Sequence, residues 1–209
     1  MSVQMSQVLT TARTYLNDDN AIQFPDPVII PKVQEAHREL QEELWVAGSP
    51  NVRGQTSVLT VLTGVKTLNQ TSTPALPTDF LCPTAMFESA ASTGPFAPMT
   101  EAFYIPLGYT PVATLSWWSW QQENIVLGGA SGTVYVIAQY RHLITIPVLS
   151  TDLIGILFGE SYLAARAAAI VAGAVGNKEV YAAMTALAKE NLAKVLTANR
   201  GQQKPLLKP

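Results

Sequence analysis

The chain of 209 residues carries 13 basic and 15 acidic side chains, a net charge of −2, which excludes a strong overall field for nucleic acid. Charged residues make up 13% of it, against about 25% in an ordinary soluble domain, while hydrophobic residues reach 48%. So uncharged a surface belongs either in a membrane or under partner proteins. The membrane alternative fails on the best apolar window, Leu153–Val175, which Glu160 and Arg166 interrupt near its middle. The opening residues 1–13 lack a basic region followed by an apolar core, so no signal peptide is expected. Cys82 is the single cysteine, which rules out an internal disulfide.

Taken in order, the apolar spacing of Met5, Val8, Leu9, Ala12, Tyr15 and Leu16 predicts an amphipathic helix over 3–17. Asn17-Asp18-Asp19-Asn20 ends it, and a loop leads to Asp26-Pro27, a helix start signal. Pro31 lacks a backbone donor, so the regular second helix is expected from 28 or 31 to 47. Beyond Gly54 the texture changes. Residues 57–70 alternate and are rich in β-branched residues, and residues 72–88 read as a proline-punctuated extended segment. Residues 89–114 have no clear period. Leu115–Trp120 reads as a strand, and 123–127 with 133–140 as a hairpin across Gly128-Gly129-Ala130-Ser131-Gly132. Two long helices are then expected, 152–175 and 177–200, broken at Gly176-Asn177, with Thr151 as the first N-cap and Asp152 at the positive end of the helix dipole. The tail 201–209 is expected to be extended, since the helix cannot continue past Pro205. The expected fold is α+β, mainly α. A helical bundle from 1–54 and 150–200, with two N-terminal and two long C-terminal helices, carries a β-rich insertion at 55–149.

The chemistry-bearing residues are sparse. His37 and His142 have no second His or Cys at metal-ligand spacing, and Cys82 reads as a small buried hydrophobe. No phosphate-cradling glycine motif occurs. The carboxylate pairs Asp18-Asp19 and Glu42-Glu43 read as a helix end and a solvated helix face. No catalytic, cofactor or metal site is expected, and no enzymatic activity. Charge is uneven: residues 1–53 hold four basic against seven acidic side chains, and 178–209 hold six against two. This fits either head-to-tail docking of unlike surfaces between subunits or two solvated helix faces. Trp117, Trp118 and Trp120 crowd one strand, Trp118 and Trp120 on one face and Trp117 on the other. They suit either packing within a sheet or a contact with another subunit or a tail protein.

The pattern L-T-T-A-R-T-Y-L-N-D-D-N (9–20), followed by F-P-D-P-V-I-I-P-K-V-Q-E-A-H-R-E-L-Q (24–41), resembles the head-to-tail adaptor (connector) proteins of tailed bacteriophages. A-L-P-T-D-F-L (75–81) resembles that family's L-P-x-D-F element. E-N-I-V-L (123–127), V-Y-V-I-A-Q-Y-R (134–141), an A-A-R-A-A-A helix and a last helix opening N-K-E (177–179) complete the order. The Pro- and Trp-rich stretch 89–120 departs from the family pattern. The resemblance implies a helical bundle with a β-rich insertion, assembled as a homo-oligomeric ring, usually a dodecamer. Such a ring joins the portal protein to a downstream tail, nozzle or stopper protein in the neck of the virion, after synthesis in the bacterial host cytoplasm. Double-stranded DNA passes through its channel without sequence readout, and no membrane is involved. The tail residues Arg200, Lys204, Pro205, Leu206, Leu207 and Lys208 would dock on the portal. The tryptophans would serve a tail-side or inter-subunit contact. A hexameric stopper or tail-completion protein is the alternative, and a peptidoglycan-cleaving tail factor a more distant one.

Overall fold

A computed structural model describes residues 3–106, 108 and 110–199. The chain divides into two compact units, one from 1–52 and 144–209, the other from 53–143. The first holds β1 (Val3–Gln4), α1 (Met5–Tyr15), α2 (Asp26–Val46) and a 3-10 turn (Pro50–Val52). The second holds β2 (Arg53–Gln55), β3 (Leu59–Val61), β4 (Thr67–Leu68), β5 (Phe80–Ser89), β6 (Ala97–Pro98), β7 (Thr100–Glu101), β8 (Trp117–Gln121), β9 (Asn124–Leu127) and β10 (Val134–His142). The chain returns to the first unit for β11 (Leu153–Ile154), α3 (Glu160–Ala174) and α4 (Lys178–Ala198).

This overturns the expected fold class. With 36% helix and 24% strand, the latter in three sheets, the chain is a mixed α/β fold and not a mainly helical bundle with a β-rich insertion. Strand content was underread because many strands are only two or three residues long, too short for alternation to register. Helix content was overread at 152–159. The apolar spacing continues there, but the chain is extended and turned: Leu153–Ile154 pairs antiparallel with Val3–Gln4, and Phe158 takes a left-handed φ of 58°. Asp152 is no helix-start residue. Its Oδ2 accepts the backbone N–H groups of Val148 and Leu149, both at 2.8 Å, and α3 starts eight residues later.

In the helical unit α3 is the central element. Its alanines 164, 165, 167, 168, 169 and 172 are all fully buried, which is why its sequence is apolar all round rather than striped. Met5, Val8, Leu9 and Ala12 of α1 belong to the same core, as do Ile29, Val33, Ala36, Leu40 and Leu44 of α2. Gly176, at φ 78°, closes α3, and the Asn177 side chain caps α4 by accepting the Val180 N–H at 3.1 Å. α2 begins at Asp26 and runs through Pro31, which costs it a single backbone bond near its start.

The β unit has two sheets. The five-stranded one has β10 at its centre, antiparallel to β2, β3 and β5, with β6 on the outer edge of β5. β5 is the longest strand, hidden in the sequence by Pro83. That proline sits beside the register shift between Gln139 and Tyr140, where the ladder is broken and its missing N–H is tolerated. The other sheet orders β4-β9-β8-β7. The expected hairpin across residues 128–132 is absent, because β9 and β10 lie in different sheets. The actual hairpin joins β8 to β9 through Gln122-Glu123, both left-handed at φ 48° and 61°, the conformation of a two-residue turn matched to strand twist.

Gly54 lies against the Tyr140 ring, and a Cβ there would stand 2.5 Å from Cζ. Gly54→Ala should therefore push Tyr140 off Phe80, on which it stacks at 4.6 Å, and cost about 1–3 kcal/mol in urea unfolding. An unchanged midpoint would show that the ring moves aside freely.

Candidate interaction surfaces

The residues that carry the family resemblance turn out to be fasteners. Asp18 is buried at the α1–α2 corner. Its Oδ1 accepts the N–H groups of Ile22 (3.0 Å) and Gln23 (3.1 Å), and its Oδ2 that of Phe24 (2.7 Å). Burial alone would raise its pKa, but these backbone donors and the nearby Arg13 charge more than offset that and lower it. Arg13 donates from Nε to the Phe24 carbonyl at 3.1 Å and forms an ion pair with Asp26. So L-N-D and F-P-D fix the angle between two helices. In the L-P-T-D-F element, Asp79 Oδ1 accepts the Tyr140 hydroxyl at 3.1 Å, and Oδ2 lies 2.7 Å from His142 Nδ1. The Asp79 carbonyl accepts the Leu143 N–H at 2.8 Å, fastening the end of β10.

The charged helix faces are partly answered within the chain. Glu39 of α2 takes both arms of Arg166 from α3, at 2.6 and 2.8 Å. Lys32 pairs with Glu35, and Lys194 with Glu190. Among the described residues, no three His, Cys, Asp or Glu side chains form a group that could hold a metal ion, and no helix is long and apolar enough to cross a membrane.

One buried polar cluster escaped sequence reasoning. The Gln41 carboxamide grips the backbone of Ile144, donating from Nε2 to its carbonyl and accepting its N–H at Oε1, both at 3.0 Å. The same Nε2 lies 3.0 Å from His37 Nδ1. An amide nitrogen can only donate, so His37 Nδ1 accepts and the ring proton is on Nε2. That Nε2 is buried without a hydrogen-bond partner. Burial first, and the Arg38 charge second, lower the His37 pKa to about 4, so the ring is neutral. No motif announces this cluster, because its third member is a main-chain segment 103 residues away.

Of the three tryptophans, Trp118 is buried in the β core, Trp120 is half-buried with its ring 6.0 Å from Phe80, and Trp117 is exposed. Trp117 edges a cleft of about 360 Å³ with Tyr104, Ile105, Pro106, Val112 and Leu115. Beside it Phe103 stands wholly in solvent. The tail residues Arg200, Lys204, Pro205, Leu206, Leu207 and Lys208 lie outside the described residues.

Exposed apolar side chains of the helical unit gather at its two ends. Ser49, just past α2, donates to the Asn199 carbonyl at the end of α4, and Asn199 donates to the Leu157 carbonyl just before α3, while Asn191 of α4 donates to the Ser161 carbonyl at 3.2 Å. The start of α3 thus shares one end with the ends of α2 and α4. Val46, Leu153, Leu157 and Phe158 are exposed there, while Val148 and Leu149 are exposed farther along α2, where Gln34 donates to the Pro147 carbonyl at 3.0 Å. At the other end, beside the α1–α2 corner and the α3–α4 turn, Ile22, Val28, Val175 and Tyr181 are exposed. Scattered exposed leucines need no explanation, but grouped ones do. Val148 and Leu149 are themselves held by Asp152, whose carboxyl pKa is lowered chiefly by their two N–H groups. The left-handed backbone of Phe158, costing a bulky residue roughly 1–2 kcal/mol, keeps its ring 65% exposed.

No protein-family model matches the sequence, and no curated protein is significantly similar to it.

Proposed function

We propose that the chain is a structural, non-enzymatic adaptor of a tailed bacteriophage. It assembles with copies of itself into a ring, with the dodecameric symmetry that the resemblance implies, that joins the portal to the tail and continues the DNA channel. The observation that carries this reading is the pair of unlike apolar surfaces at opposite ends of the helical unit. Two different patches on one subunit make head-to-tail contacts, and such contacts close into rings when the rotation between subunits permits. The low charge content agrees with a surface spent on neighbours. The sequence resemblance supplies the portal and tail as partners, with residues 200–208 as the portal contact and the cleft at Trp117 as the tail-side or inter-subunit contact.

Paired variants test the head-to-tail arrangement. Phe158→Asp removes one patch and Val175→Asp the other, both at exposed positions. Each alone should stay folded and fail to form rings. Mixed in equal amounts they should stop at dimers, since only one intact pair of patches remains between them. Rings from either single variant would contradict the assignment.

A further inference from the structure

A cleft of about 500 Å³ opens at the first of these ends, lined by Val3, Leu157, Phe158, Glu160 and Lys194 among others. We propose that in the free subunit it is filled by the chain's own Pro205-Leu206-Leu207. This does not depend on the ring reading, since it concerns a single subunit.

The placement of the end of α4 points to this occupant. Asn199 is buried, and its Nδ2 donates to the Leu157 carbonyl at 3.0 Å, on the wall of the cleft. Its own carbonyl accepts the Ser49 hydroxyl at 2.9 Å, so this exit point is fixed. Residues 200–204 then precede the apolar triplet, a reach of up to about 17 Å at full extension. Gly201 permits the chain to reverse directly after the helix. Pro205, Leu206 and Leu207 are the apolar run of 200–209 between Lys204 and Lys208. Glu160 at the cleft supplies charge opposite to those lysines, whereas Lys194 is already paired with Glu190 at 2.7 Å. The cleft's size falls within the usual few-hundred-Å³ range of small-ligand sites. Phe158, strained and outward, is the side chain against which a leucine would pack.

Backbone hydrogen exchange of residues 153–161 tests this in the full chain against the double variant Leu206→Asp/Leu207→Asp, whose changes fall outside the described residues. Filling of the cleft should make exchange about tenfold slower in the parent chain, with excess synthetic peptide of sequence 200–209 restoring protection to the variant. Equal exchange in the two proteins overturns the proposal. Protection that rises with protein concentration also overturns it, assigning the cleft to the segment of a second copy.

Discussion

Replacing Gln41 by alanine should lower the unfolding free energy by about 4 kcal/mol, the largest loss expected from any single polar side chain in the helical unit. The truncation strands three buried groups at once: the N–H and the carbonyl of Ile144, and His37 Nδ1. Each buried polar group left unpaired costs about 1–3 kcal/mol, well above the net worth of a hydrogen bond that is merely exchanged for water. Leu40 and Leu44 beside it on α2 are themselves fully buried, which leaves little room for water to take over. Urea unfolding of the variant measures the loss directly. A change below about 1 kcal/mol would mean that the Ile144 segment is not anchored through Gln41.

The second large effect is on pH dependence. His37 has a pKa of about 4 in the folded chain against an ordinary 6.5 when unfolded. Between those values the unfolded chain binds a proton that the folded chain does not, so stability falls as pH falls. It is fully present above pH 6.5, declines through the interval, and loses nothing more from this group below about 4. The total is about 3 kcal/mol, at 1.36 kcal/mol per unit. Asp18, Asp152 and Glu190 also have lowered pKa values, but their contributions are lost only below the ordinary carboxylate values of 3.8 for the aspartates and 4.5 for the glutamate. The interval from 6.5 to 4.5 therefore isolates the histidine. His37→Leu should flatten the stability profile there while staying within about 1 kcal/mol of the parent chain at pH 7, because it also removes the unpartnered Nε2. A parent chain equally stable at pH 6.5 and 4.5 would contradict a buried neutral ring.

These two residues also show where sequence reading stops. The helical faces of α1, α2 and α4 were legible because each repeats an apolar spacing over three turns or more, and the break at Gly176-Asn177 because both residues do what their chemistry favours. The start of α3 was not legible. Leu153, Ile156 and Leu157 keep a helical spacing, but Ile156 is buried from a turn, and Leu153 comes from a strand pairing that needs Gln4, far away in sequence. β5 was obscured by Pro83, whose tolerance depends on a bulge opposite it. The β8–β9 turn was obscured because Gln122-Glu123 lacks the usual Asn or Gly, and the glycines six residues later drew the hairpin to the wrong place. Trp118 and Trp120 were legible as one face of a strand, but nothing local separates the buried ring from the half-buried one. The exposed patches were least legible of all. Leu149 and Phe158 look like core residues in the sequence, and only the Asp152 turn and a left-handed backbone turn them outward.

The ring is the centre of this account, and electron microscopy of the assembled particle tests it most directly. Views averaged down the particle axis at the height of this chain should show a twelve-fold ring around an open channel, in contact with the portal. Six-fold density would place the chain in a stopper or tail-completion ring instead. A protein that stays a monomer with portal added would contradict the adaptor reading outright.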